Sequence, residues 1–382
     1  MEFELTSEQQ MMVDSAKRMV ETLIQPILDR NDRNKPLPKA ATHELIQAGA
    51  ALGITGARIP EGGGGTALRA LDYGLIHEQL PASAALILQP HEATTMRLYY
   101  GCSQEQRDRY LADFMSGAKI TCSAITEPDT GSNPNGVRTR LDEEGDSFIL
   151  NGRKMWISNA PVCDVMNVTC RRVVDGKEEV VRVLVDREES EFEARNIDVI
   201  GLKQAHLGEV VFDNCRVPKK NLCVGEANSA KVHTLAWLTN RPLVGLTAVG
   251  LAQKALDAAV EYAKTRKQFG KYIGGFQIIQ QDLADIQTAV VASRLVCYNA
   301  LAAVDRGERA NGLSAMAKRF AVDTCDKAIA IAMRIHGAMG LSAELGLEQL
   351  ARDARTLTIP DGTPGILGLI QGRELTGLDA FR

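Results

Sequence analysis

The sequence predicts an α+β protein in which two helical bundles flank a β-barrel. Apolar residues recur at helical spacing in the first third. Between about 121 and 225 the pattern changes to β-branched runs separated by turn dipeptides. From Arg241 onward the helical period returns. The expected parts are an N-terminal all-helical domain (1–120), a central β-barrel (121–225) and a C-terminal helical bundle (226–382), one layer of each packing on the next.

In the first part, Met12, Ala16, Met19, Val20 and Leu23 share a helical face, and Thr6-Ser7-Glu8-Gln9 supplies a capping box ahead of them. Tyr110, Leu111 and Phe114 form another apolar edge. The run Gly62–Gly65 lacks the Lys-Ser/Thr of a phosphate loop and reads as a flexible connection between helices. In the middle, Asn151-Gly152 between Phe148-Ile149-Leu150 and the run from Lys154 to Ile157 predicts a hairpin turn, because Asn-Gly accepts positive φ. Asp175-Gly176 before Val180 to Val185 predicts a second. Val210-Val211-Phe212 and Cys215-Arg216-Val217-Pro218 predict a strand that stops at the proline. In the last part Pro242 suits a first helical turn. Val249, Ala252, Leu256, Val260 and Ala263 mark one helix face, and two more long helices are expected over about 276–306 and 314–335.

A length of 382 residues allows two or three domains. With 44 basic and 48 acidic residues the formal charge is −4, which argues against nucleic-acid binding. No apolar run approaches the roughly 20 residues of a membrane helix. The acidic, polar start MEFELTSEQQ resembles neither a secretory signal nor a transit peptide, so the expected location is cytoplasmic, with no membrane partner. Eight cysteines without C-x-x-C spacing predict reduced, buried thiols and no metal site. The six histidines are isolated and read as structural.

Four segments carry the chemistry: Ile125-Thr126-Glu127-Pro128-Asp129-Thr130-Gly131-Ser132-Asn133; Lys154-Met155-Trp156-Ile157-Ser158-Asn159-Ala160; Arg266-Lys267-Gln268-Phe269-Gly270 with Phe276-Gln277; and Arg352-Asp353-Ala354-Arg355 leading to Asp361-Gly362-Thr363. In this order, and with the run from Gly208 to Pro218, the chain resembles the acyl-CoA dehydrogenase superfamily from its first helix nearly to its end. The resemblance implies an N-terminal helical domain, a central β-barrel, a C-terminal four-helix bundle and an FAD cofactor. It implies that Trp156 packs on the flavin, that Ser158 bonds near its reactive nitrogen, and that Ile125 and Thr126 face its pyrimidine end. Gly131 and Ser132 would serve the pyrophosphate or the pantetheine arm. Arg266, Phe269 and Gln277 would reach a neighbouring subunit's FAD, with Gly337 and Thr363 also near the cofactor. Alone, Trp156 reads as a strand core aromatic, and Arg266-Lys267 as a solvated helix end.

The resemblance also implies a carboxylate base that removes the α-proton while a β-hydride passes to flavin N5. The family's usual Glu before Gly-Thr is here Asp361, and the alternative Glu slot before Arg241 is Asn240. Asp is shorter by one C–C bond, about 1.5 Å, and a misplacement of about 1 Å can cost on the order of 100-fold. Glu92, in His91-Glu92-Ala93-Thr94, is a possible helper. Substrate contacts are expected from Ser132, Arg241, Glu92 and Gly362. Leu238, Arg334, Ala338, Leu341 and Gly365 also depart from the family pattern. The expected function is α,β-dehydrogenation of an acyl-CoA-type thioester, with electron-transfer flavoprotein as acceptor, in a homo-oligomer (a dimer of dimers) or a heteromer with a paralogue. Changed chemistry (a 1,4-dehydrogenase, a nitroalkane-oxidase-like enzyme or a desulfinase) and a non-catalytic partner subunit are the alternatives.

Overall fold

The structure, a computed structural model, describes residues 4–224 and 229–380. The boundary expected between 225 and 226 lies outside the described residues. The N-terminal helices are α1 (Ser7–Met19), α2 (Gln25–Asp29), α3 (Lys39–Ala51), α4 (Ala70–His77), α5 (Ala82–Gly101) and α6 (Gln104–Ser116). The Thr6 capping box forms as the sequence predicts. α5 is the central helix, buried along most of its length. Within the glycine run Gly65 is packed, since a Cβ there would sit 2.2 Å from the Ile59 carbonyl oxygen, while Gly62 is exposed with open space around it.

Seven strands follow in one curled sheet: β1 (Thr121–Ala124), β2 (Arg140–Glu144), β3 (Ser147–Ser158), β4 (Val165–Val174), β5 (Lys177–Asp186), β6 (Glu193–Asn196) and β7 (Leu207–Pro218). Asp175-Gly176 makes the β4–β5 turn as expected. Asn151-Gly152 does not make a turn. It lies inside β3, which pairs with β7 on both sides of a register slip, and the hairpin closes earlier, at Gly145. Gly152 is required there all the same: its φ is +150°, and a Cβ would meet Thr139 Oγ1 at 2.6 Å.

The C-terminal part comprises α7 (Ser229–Thr265), the small hairpin β8 (Lys267–Gln268) and β9 (Lys271–Tyr272), α8 (Gln277–Asp305), α9 (Asn311–His336), α10 (Leu347–Leu357) and α11 (Pro364–Thr376). Pro242 does not open a helix; it lies inside α7. Proline there frees the carbonyl of residue 238, and the Ser314 hydroxyl takes it up, donating to Leu238 O at 2.6 Å. Against the sequence expectation, α7 from Val232 and α8 are each long and apolar enough to cross a membrane, with mean hydropathy of 1.4 and 1.2 over their best windows. Both are packed into the bundle with α9, their buried residues divided between a core shared with the N-terminal helices and a second core within the bundle. Leu202 of the β domain is tied to the bundle by Asp353 Oδ1, which accepts its N–H at 2.5 Å.

Candidate active site

Residues 125–130 leave β1 and fold back on themselves. Glu127 N–H donates to Thr130 O at 2.9 Å, and Thr130 N–H returns the bond at 3.2 Å. Met155 N–H donates to Thr126 O at 2.9 Å, so this turn is fastened to β3. Beneath it lies Lys154, with no exposed surface, donating to Ile125 O at 3.0 Å and to Glu127 Oε1 at 2.7 Å. Glu127 also accepts the N–H groups of Arg138 (2.7 Å) and Thr139 (2.9 Å). Burial alone would raise the Glu127 pKa; these donors outweigh it and hold the carboxyl below its ordinary value.

The β3–β7 register slips again between Lys154 and Ile157. At the slip Trp156 takes φ +62°, and its side chain is 49% exposed. A bulky residue in that region costs on the order of 1–3 kcal/mol and marks a constrained site. A strand core aromatic would be covered, so that simpler account of Trp156 fails. Thr126 and Ser158 are half-buried, and Ser132 is exposed. None of their hydroxyls is bonded to another described residue. A Cβ on Gly131 would stand 3.5 Å from Thr126 Cγ2, an ordinary contact distance, so the packing within this chain does not itself require glycine there. An exposed aromatic ring with unpaired hydroxyls nearby fits the edge and face of a flat heteroaromatic cofactor.

The carboxylate predicted from the sequence lies between α10 and α11. Asp361 has φ +54° and is half-buried, and no described residue donates a hydrogen bond to its carboxylate. Its backbone is gripped from two sides. Lys318 on α9, fully buried, donates to the carbonyls of Thr358 (3.4 Å), Pro360 and Gly362 (2.6 Å). Arg241 on α7 donates from Nε to Asp361 O at 3.1 Å and from Nη1 to Asn311 Oδ1 at 2.8 Å. Burial lowers the Lys318 pKa to about 8, against the pull of Asp361. Burial lowers Arg241 as well. Thr363 caps α11 by accepting Ile366 N–H at 3.5 Å.

The Asp361 charge also reaches Arg58 and Arg97. Arg58 embraces Glu92, with Nε 2.9 and 3.0 Å from the two carboxylate oxygens and Nη2 bonded to Oε2 as well. Its Nη2 also donates to Asn240 Oδ1 at 3.1 Å. Burial opposes the Arg58 charge, but Glu92 more than offsets it, and the net pKa is raised. The residue in the alternative base slot, Asn240, thus serves as a hydrogen-bond partner of Arg58.

Arg266, Phe269 and Gln277 are all on the surface. Phe269 and Gly270, both at positive φ, form the β8–β9 turn and leave the phenyl ring 93% exposed. Gly337, at φ +59°, is exposed where α9 ends. Sequence inspection missed Lys318, Lys154 with Glu127 as a pair, Arg58 and Arg97. Lys318 had a signal: it interrupts the apolar stripe Ala315, Ala317, Ala321, Val322 and Cys325 of α9, where a lysine has to be paired to be tolerated.

This fold and arrangement define a protein that seats a flat cofactor on a β domain and holds a carboxylate on a clamped loop of a helical bundle. The chain belongs to the acyl-CoA dehydrogenase family. Residues 6–118, 122–215 and 232–376 match that family's N-terminal, middle and C-terminal domains. It is 31% identical over 377 residues to a 3-(aryl)acrylate reductase of Clostridium sporogenes, covering 97% of this chain and 99% of that protein. It is also 31% identical to the caffeyl-CoA reductase-Etf complex subunit CarC of Acetobacterium woodii, covering 95% and 97%. The structure of butyryl-CoA dehydrogenase from Megasphaera elsdenii superposes with a TM-score of 0.89 at 28% identity, covering 98% of this chain and 100% of that one. The protein is an FAD-dependent oxidoreductase acting on acyl-CoA.

Proposed function

We propose that this chain exchanges a proton and a hydride with the Cα–Cβ unit of an acyl-CoA, and that Asp361 is the base at Cα. One observation carries the assignment: a half-buried carboxylate without a donor, held at φ +54° among Arg58, Arg97, Arg241 and Lys318. Bound FAD supplies the acceptor for the hydride leaving Cβ. The clamp on the carbonyls of 358, 360, 361 and 362 fixes where the short carboxylate starts, which suits a side chain one bond shorter than Glu. Of these cations, Arg58, Arg241 and Lys318 stabilise negative charge developing on the thioester as the α-proton leaves. Glu92 holds Arg58 by a two-oxygen embrace and is assigned to that task rather than to proton transfer. Arg241 positions the Asp361 loop before it contacts substrate.

Trp156, Thr126, Ser158, Ile125, Gly131 and Ser132 hold the flavin and its diphosphate. Arg266, Phe269 and Gln277 complete the site of a second copy, so the working form is a homo-oligomer. Electron-transfer flavoprotein is the proposed electron partner, supported by the similarity to CarC, a subunit of a reductase-Etf complex. Eight free thiols, seven of them buried, suit a reducing, cytoplasmic location. Two relatives are named as reductases, and by microscopic reversibility the same Asp361 returns a proton to Cα when electrons arrive from the partner.

The test is anaerobic mixing of the FAD-loaded protein with linear, branched, aryl and dicarboxylic acyl-CoAs, followed by flavin absorbance. Wild type should bleach with at least one, and Asp361→Asn should slow that phase by about 10²–10⁴-fold. Equal rates in the two proteins would remove Asp361 from the role.

A further inference from the structure

Among the described residues, Arg97 on α5 is a buried cation without an ion-pair partner. It is 5% exposed, and no carboxylate of the described residues forms an ion pair with it. Its Nη1 donates to Ser123 Oγ at 3.2 Å. Ser123 lies 2.9 Å from Thr94 Oγ1, which donates onward to Pro90 O at 2.8 Å. This relay runs from Arg97 through Ser123 and Thr94 to a helix carbonyl, and it orients the guanidinium by one corner. Nε and Nη2 make no hydrogen bond with any described residue, and Nε is fully buried. These two N–H groups form the side-on fork that binds a carboxylate through two parallel bonds.

The neighbours make the need for an anion greater. Arg182 donates to the carbonyls of Arg97 (3.4 Å) and Gly101 (2.8 Å), which brings a second guanidinium alongside. Burial lowers the Arg97 pKa to about 10, and Arg58 and Arg182 press it the same way. Asp361 is the carboxylate whose charge acts on Arg97 most strongly. Ser123 is two residues before Ile125, so the fork lies beside the segment assigned to the flavin. A buried, half-satisfied guanidinium is costly unless a ligand completes it.

We propose that Arg97, oriented by Ser123 and Thr94, binds a carboxylate at the far end of the acyl group, so that the substrate is the CoA thioester of a dicarboxylic acid. This rests on the reading that an acyl thioester occupies the space beside Asp361.

The FAD-loaded protein is titrated in a calorimeter with succinyl-, glutaryl- and adipyl-CoA, and with butyryl-, pentanoyl- and hexanoyl-CoA as uncharged counterparts. Wild type should bind at least one dicarboxylic thioester about tenfold or more tightly than its counterpart. Arg97→Met should abolish that preference and leave binding of the uncharged thioesters unchanged. Arg97→Lys, which keeps the charge and loses the fork, should keep part of it. Free of ligand, Arg97→Met should unfold at a higher temperature than wild type, because it removes an unpaired buried charge. Equal affinity for the two series in wild type, a preference that survives in Arg97→Met, or a lower unfolding temperature for that variant would each overturn the proposal. If dicarboxylic thioesters bind through Arg97 yet never bleach the flavin, the carboxylate site stands and the chemistry assigned to Asp361 falls. If uncharged thioesters bleach it and dicarboxylic ones bind no better, the reverse holds.

Discussion

Replacing Lys154 by methionine should destabilise the β domain and loosen its hold on FAD together. The side chain is fully buried and joins three things: the Ile125 carbonyl, the Glu127 carboxylate and, through them, the turn that contacts Trp156's strand. Methionine fills similar space, so the cost is electrostatic. Stranding one partner of a buried ion pair costs about 3–5 kcal/mol. Glu127 keeps the Arg138 and Thr139 N–H bonds, which places the expected loss near about 3 kcal/mol. The Glu127 pKa is depressed in the fold, so its stabilisation is present above the ordinary carboxylate range and lost as pH falls through the depressed value. The difference between wild type and Lys154→Met should therefore shrink in acid. The assay is urea unfolding of the FAD-free protein, with indole fluorescence as the probe, in a cycle with Glu127→Gln. Flavin absorbance after gel filtration reports cofactor retention. A midpoint within about 0.5 kcal/mol of wild type, with FAD retained, would refute the view that this pair supports the flavin turn.

Lys318 has three N–H groups for three loop carbonyls when protonated and only two when neutral. Turnover should therefore fall on the alkaline side with an apparent pKa near 8, and Lys318→Met should lose that limb along with most activity. Stability should move the other way. The Lys318 pKa is lower in the fold than in the unfolded chain, so the penalty for its charge is complete below about 8 and fades as pH rises toward 10.5, as thermal unfolding across that range would show. Phe269→Gly should leave folding intact or slightly improved, since glycine relieves the positive φ, while light scattering shows dissociation and dilution releases FAD. A Phe269→Gly protein that keeps its assembly and its yellow colour would remove that ring from the neighbour's site. Asp361→Glu should change the relative rates with short and long acyl chains rather than abolish bleaching, because the reach of the base moves by about 1.5 Å.

The long helices and the Asp175-Gly176 turn were legible because local chemistry and tertiary pairing agree there. At Asn151-Gly152 they disagree. The dipeptide favours a turn, but β7 offers partners on both sides of it, and the strand runs through with a bulge instead. Pro242 reads locally as a helix start, yet Ser314, more than 70 residues away in sequence, satisfies the carbonyl the proline releases. The site divides in the same way. Trp156, Asp361 and Phe269 lie in contiguous segments and could be named from them. Arg58, Arg97, Lys154 and Lys318 look like ordinary basic residues in the sequence. What distinguishes each is burial against a partner on another element: Glu92, Ser123, Glu127 and the 358–362 carbonyls respectively.

Main-chain oxygens are common to all twenty amino acids, and it is these that Lys318 and Arg241 grasp around position 361. The fixture therefore makes no hydrogen bond to the side chain mounted in it, and only the φ of +54°, which Asp and Asn tolerate best, limits the choice. Substitution at 361 exchanges the tool and leaves the handle in place, so a lineage built on this loop could test new proton-transfer groups one codon at a time.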